Sequence, residues 1–171
     1  MERHLRTVRL CLFGALCLLI IIILSVSSPA SETERDDLVN TMENICSLKT
    51  FTAAVRTAEI EYILGKEGPF TVFAPSDDAF RNLPHETMEM IFNPENREEL
   101  NALIAYHVAP EMIPSSELKE DFMFTALNEE VLTITVREGA FFVNNSRISR
   151  ADILCTNGII HIIESVILNG D

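Results

Sequence analysis

The sequence predicts an α+β domain with its helices gathered on one side of a sheet system. Three observations predict it. Apolar residues recur at helical spacing through the first half of the chain. Short β-branched and aromatic runs divided by turn residues fill the second half. Two mostly apolar ribbons, Phe70–Ala74 and the run Ile159–Leu168 interrupted by His161, Glu164 and Ser165, lie nearly ninety residues apart. They read as buried strands, the second as one strand or two short ones mostly covered on both faces.

The chain has 171 residues, which suggests one domain, and its N-terminus stands apart from it. Arg3, Arg6 and Arg9 precede an uncharged stretch from Leu10 to Val26, followed by Ser28-Pro29-Ala30. That layout is a secretory signal with cleavage after Ala30, or an uncleaved N-terminal anchor. Either places the domain outside the cytoplasm. The expected organisation is therefore a leader over 1–30, a short polar linker over 31–36 and the domain over 37–171.

Helical spacing begins with Leu38, Met42 and Ile45, breaks near Cys46-Ser47, and resumes with Leu48, Phe51, Ala54, Val55 and Ala58. Ile60–Leu64 adds a turn that Gly65 ends. Gly68-Pro69 leads into the first ribbon, and Pro75, having no N–H to donate, stops it. Ser76 is a good N-cap, and Asp77 and Asp78 suit the positive first turn of the helix behind it. Pro84 opens a short helix carrying Met88, Ile91 and Phe92. Asn93-Pro94 reads as cap and first position of the next helix, which buries Leu100, Leu103 and Ile104. Beyond Pro110 and Pro114, Val131–Val136, Ala140–Val143 and Arg147-Ile148 form a small meander with turns at Glu138-Gly139 and Asn144-Asn145. Asn157-Gly158 then turns the chain into the second ribbon.

Three segments carry a family resemblance. Thr71-Val72-Phe73-Ala74-Pro75-Ser76-Asp77-Asp78-Ala79-Phe80, the closing run Asn157–Leu168, and Leu103–Val108 with Tyr106-His107 at its centre resemble the two signature boxes and the tyrosine-histidine motif of the fasciclin-like domain family. The resemblance spans residues 36–168. It implies a wedge-shaped β-sandwich flanked by helices and a role in adhesion rather than catalysis. Tyr106 and His107 lie in the segment that the family associates with adhesion; a buried imidazole bonded to backbone is the structural alternative for His107. Asp152 and Ile153 match an Asp-Ile pair described in some animal members as an integrin-binding element. An exposed carboxylate can complete a receptor's metal coordination. The alternative is a strand with an outward Asp and an inward Ile.

Charge bounds the partners. The chain has 26 acidic and 13 basic residues, a net −13, and without residues 1–30 the balance is 25 against 10, or −15. Such a surface repels nucleic acid and anionic headgroups and favours cationic partners, so membrane contact is expected only through an uncleaved N-terminal segment. Of four cysteines, Cys11 and Cys17 lie in the leader. Cys46 and Cys155 remain, as one disulfide in an oxidising compartment or as two separate thiols. Asn144-Asn145-Ser146 is a glycosylation sequon, making Asn144 a candidate acceptor if the source is eukaryotic. No His pair has metal-ligand spacing, no Gly-x-Ser-x-Gly or phosphate-cradling loop is present, and Asp77 and Asp78 diverge as neighbours on a helix start. No cofactor, metal or catalytic residue is expected. The sequence thus points to an extracytoplasmic module, not an enzyme, that recognises a protein at a cell surface or matrix, an integrin-like receptor if the source is an animal. A secreted small-ligand binder or enzyme on the same fold is the alternative.

Overall fold

The computed structural model describes residues 35–66 and 68–168. The leader expected over 1–30 and most of the 31–36 linker lie outside the described residues.

Helix α1 (Leu38–Asn44) starts where Asp37 Oδ1 accepts the Asn40 N–H at 2.8 Å. The break foreseen at Cys46-Ser47 separates it from α2 (Lys49–Thr57), whose inner side carries Phe51, Ala54 and Val55. α3 (Glu61–Leu64) ends at Gly65. β1 (Phe70–Pro75) runs into Ser76, whose hydroxyl accepts the Ala79 N–H at 3.2 Å and opens α4 (Asp77–Arg81). α5 (His85–Phe92) follows Pro84. The Asn93 carboxamide does cap, accepting from Glu95 N at 3.0 Å, but what it caps is a 3₁₀ turn at Pro94–Asn96. α6 (Arg97–Tyr106) follows that turn.

The strands are β2 (Val108–Ala109), β3 (Phe122–Thr125), β4 (Val131–Arg137), β5 (Ala140–Val143), β6 (Ser146–Leu154) and β7 (Gly158–Ile163). They form one seven-stranded sheet in the order β2-β1-β7-β6-β5-β4-β3. The two apolar ribbons are partners: β1 and β7 run parallel, with Phe73 opposite His161, and the other neighbours are antiparallel. β6 joins the halves. Its first residues pair with β5, the rest pairs with β7, and the register shifts twice, between Ile148 and Arg150 and between Arg150 and Ile153. Such bulges bend a strand and let one sheet fold over itself.

Period-two alternation sorts the central strands between two cores. Val72 and Ala74 of β1 and Ile160 and Ile162 of β7 meet the helices at Leu38, Met42, Phe51, Phe80 and Ile104. Phe73 and Ile163 face the opposite way, into the sandwich, where Phe124, Leu132, Ile134 and Val143 oppose them. The described domain is an α+β sandwich with its helices on one side, as the sequence predicts.

β3 was not foreseen, and β6 is longer than expected. Phe122-Met123-Phe124 has no polar alternation to announce a strand, although Phe124 points inward and Met123 is 64% exposed. In β6, Arg150 and Asp152 interrupt the apolar pattern where the bulges lie.

Gly158 lies opposite Phe70 in the pairing of the two ribbons. A Cβ there would collide with the Phe70 carbonyl and press on the Leu38 side chain. Replacing Gly158 by Ala is expected to lower stability by roughly 1–3 kcal/mol through forced backbone displacement, read as a lower urea midpoint. An unchanged midpoint would show that the β1–β7 pairing is not so constrained.

Candidate interaction surface

Asp152 sits on the second irregularity of β6, with φ at 60°, a left-handed conformation that Asp tolerates better than most residues. The carboxylate is exposed but not free. Oδ1 accepts the Ser115 N–H at 2.8 Å, and Oδ2 accepts the Ser115 hydroxyl. Burial alone would raise its pKa, but the Ser115 bonds and the neighbouring His161 outweigh it and hold the carboxyl below its usual value. Its backbone N–H donates to His161 Nδ1 at 3.3 Å. Ile153, next along, is half-buried against the helical core. The pair therefore divides into an outward Asp and an inward Ile, with the Asp tied to a loop.

That loop runs from Pro110 to Leu118 and is held by three adjacent strands. From β1, the Thr71 hydroxyl donates to the Glu111 carbonyl at 2.6 Å and accepts the Ile113 N–H at 2.8 Å. From β7, His161 Nε2–H donates to the Ile113 carbonyl at 2.8 Å, while β6 supplies Asp152. The His161 ring is fully buried and stacks on Phe73 at 5.3 Å between centroids. Burial lowers its pKa despite the opposing Ile113 bond and Asp152 charge. Ile113 and Leu118 plug the sandwich, while Glu111, Met112, Ser116 and Glu117 face outward. Motif reasoning did not find Thr71, Ser115 or this use of His161. A threonine in an otherwise apolar buried strand was the available signal for Thr71.

Tyr106 and His107 end α6 and point into different cores. Tyr106 lies in the sandwich, only 4% exposed, and its hydroxyl accepts from Asn144 Nδ2 at 3.1 Å. His107 has no exposed surface and lies 5.8 Å from the Phe51 ring. Its Nδ1–H donates to the Leu103 carbonyl at 2.8 Å, and Nε2 accepts the Ile167 N–H at 3.1 Å. Only the neutral ring can make both bonds. Burial accordingly pushes its pKa down to about 4, the Leu103 bond pulling weakly the other way.

Asn144 is turned inward. At φ 50° its Oδ1 accepts the Thr133 N–H at 3.0 Å while Nδ2 serves Tyr106. Ser146 of the same sequon is buried, its hydroxyl donating to the Ser165 carbonyl at 2.8 Å. A glycan on Asn144 would leave from the nitrogen that faces Tyr106.

The disulfide held open by the sequence is not formed. Cys46 is an exposed free thiol and Cys155 a buried one. Cys155 packs in the helical core; burial and the charges of Asp37 and Asp36 raise its pKa against a hydrogen bond from Thr41. A cleft of about 500 Å³ beside it is lined by Asp37, Lys66, Met112, Cys155 and Asn157 among others. Two of its polar side chains have structural work: Asp37 caps α1, and Asn157 accepts from Leu38 N and donates to the Leu64 carbonyl. Among the described residues, no group of three or more His, Cys, Asp or Glu is placed to hold a metal.

Between the folded His107 value of about 4 and the unfolded 6.5, the unfolded chain binds a proton that the folded chain refuses. Stability is therefore complete above pH 6.5 and declines as the pH falls toward 4, by on the order of 3 kcal/mol, with His161 acting in the same direction. Urea midpoints at pH 7.5 and pH 4.5 should differ accordingly; equal midpoints would contradict a buried neutral ring. Under native conditions, iodoacetamide should alkylate Cys46 and spare Cys155 until urea unfolds the chain, as intact mass will record.

A family model, Fasciclin domain, matches residues 47–169. Protein sll1483 of Synechocystis sp. is 37% identical over 145 residues, covering 83% of this chain and 80% of that protein. Human periostin is 32% identical over 122 residues, 71% of this chain but 14% of periostin, so this chain spans a small part of that relative. A solved FAS1 domain pair from the insect cell adhesion molecule fasciclin I superposes with a TM-score of 0.60 at 19% identity, over 78% of this chain and 51% of that one. With matching signature segments, matching fold and a match over most of its length, the chain belongs to the fasciclin domain family.

Proposed function

We propose that this domain is an extracytoplasmic adhesion or interaction module that binds a protein partner at a cell surface or matrix and catalyses no reaction. The observation that carries this reading is the stapled loop at 110–118. Thr71, His161 and Asp152 from three neighbouring strands hold it, and Glu111 and Met112 project from its outer side. A surface held in one conformation loses little entropy on association, which suits recognition by contact. Met112 and Leu154 are each 43% exposed, large apolar side chains on a strongly acidic protein. Family membership supports the reading, as does the fold shared with an insect cell adhesion molecule. The location outside the cytoplasm rests on the N-terminal leader.

Within this reading Asp152 shapes the loop and lends its outer carboxylate lone pairs to a partner, an integrin-like receptor if the source is an animal. Tyr106 and His107 act through the fold, because neither reaches the surface. For the alternative ligand-binding role, the cleft beside Cys155 offers few free polar groups, since Asp37 and Asn157 are engaged in the fold.

Adhesion of cells to surfaces coated with the full chain tests this. Asp152→Ala and Met112→Ala should each weaken adhesion about fivefold or more with folding intact, as for central contact residues. Tyr106→Phe, which keeps the ring, should leave adhesion unchanged. Equal adhesion by the wild type and both folded alanine variants would remove the loop surface from the function, and absence of adhesion by the wild type would remove the adhesive reading.

A further inference from the structure

The staple on the 110–118 loop contains a conflict that a proton can expose. In the neutral state, His161 presents a lone pair at Nδ1 to the Asp152 N–H and a proton at Nε2 to the Ile113 carbonyl. Both ring positions are taken. The Asp152 carboxylate faces away along the loop, where the Ser115 N–H and hydroxyl hold it. One residue thus gives its backbone to the imidazole and its charge to the loop.

We propose that Ser115 and the protonated form of His161 compete for the Asp152 carboxylate, so that acidification releases the Ser115 end of the loop. This rests on the reading that the loop forms the recognition surface, and adds its regulation. A proton taken from solvent onto Nδ1 turns that atom from acceptor to donor. It then confronts the Asp152 N–H, donor against donor, and the contact breaks. The anion whose field already reaches the ring is the Asp152 carboxylate itself. The other neighbours carry no charge to substitute for it: β1 contributes the Phe73 ring and the loop contributes the Ile113 carbonyl. When the carboxylate swings toward the imidazolium, Ser115 loses both of its bonds.

The release is local. Nε2–H keeps the Ile113 carbonyl through the change, and Thr71 keeps Glu111 and the Ile113 N–H. The Met112 side of the loop stays anchored while Ser115 to Leu118 is freed, and Leu118, 5% exposed, loses what presses it into the sandwich. The left-handed backbone at Asp152 serves the exchange, since it turns the N–H and the carboxylate of one residue toward different partners.

Hydrogen exchange of the full chain, read by mass spectrometry on segments between pH 7.5 and pH 4.5 and corrected for the intrinsic rate, tests this. In the wild type, protection of residues 114–119 should fall about tenfold per pH unit once His161 begins to titrate, the slope for one linked proton. Residues 70–75 and 158–163, which open only with the whole domain, should lose no more than global stability loses and stay better protected than 114–119 throughout. Asp152→Gly keeps the backbone conformation but removes the carboxylate; protection of 114–119 should be low at pH 7.5 and flat with pH. Ser115→Ala keeps the fold and weakens one competitor, so the loss should begin at higher pH. PH-independent protection in the wild type would overturn the proposal. So would protection of 114–119 that is no weaker than that of the β1 and β7 segments at any pH, or an Asp152→Gly profile like the wild type's. No adhesion partner enters the assay, so the latch and the adhesive reading stand or fall separately.

Discussion

The parallel pairing of β1 with β7 is the constraint from which the rest of this structure follows. The strands come from segments nearly ninety residues apart, and both are buried on both faces. Every outward group they carry must therefore find its partner inside the protein. Backbone groups do so through the ladder. Side chains do so by being apolar, with two exceptions, Thr71 and His161, and those two are the groups that hold the 110–118 loop. The loop is ordered because the central strands contain polar groups that need it, as much as because it covers apolar surface.

The same logic governs His107. A histidine with no exposed surface gains nothing from its capacity to ionise, and burial suppresses that capacity. What remains is a ring that donates at one end and accepts at the other. It joins the carbonyl of Leu103, one turn back in α6, to the N–H of Ile167 in the terminal segment. Leucine at this position would leave both backbone groups buried and unpaired, at about 1–3 kcal/mol each. The tyrosine-histidine pair is thus a joint between layers: Tyr106 reaches across the sandwich to Asn144 on the β5–β6 turn, and His107 ties the last segment to the last helix.

Much of this was legible in the sequence because the features involved are local. Pro75 and Ser76 mark the end of β1 and the start of α4 by their own backbone chemistry, with no reference to distant residues. The ribbons are legible because burial on both faces leaves no polar alternation. β3 escaped for the same reason reversed: Phe122-Met123-Phe124 is apolar throughout, yet only one face is buried, and Met123 is exposed at a sheet edge. The role of Asp152 escaped because it depends on a bulge. An Asp in a regular strand has its carboxylate on one face and its N–H in the ladder. The register shift between Arg150 and Ile153 instead brings the N–H to an imidazole and the carboxylate to Ser115, which lies 37 positions earlier in the chain. No local pattern records that encounter.

In a strongly acidic protein, charge repulsion works against holding an exposed loop in one shape. Asp152 resolves the difficulty by engaging its charge locally. Its carboxylate accepts two hydrogen bonds from one serine, which favours the ionised form and orders the loop in the same act. The neighbouring imidazole remains neutral because burial makes it so, and its neutrality leaves the carboxylate to Ser115. A lysine or arginine in place of His161 would draw the carboxylate inward permanently, and a leucine would leave the Ile113 carbonyl and the Asp152 N–H without partners. Histidine satisfies both groups and holds the surface in shape while remaining able to withdraw that support, which ties the conformation of the exterior to the protonation of a residue inside.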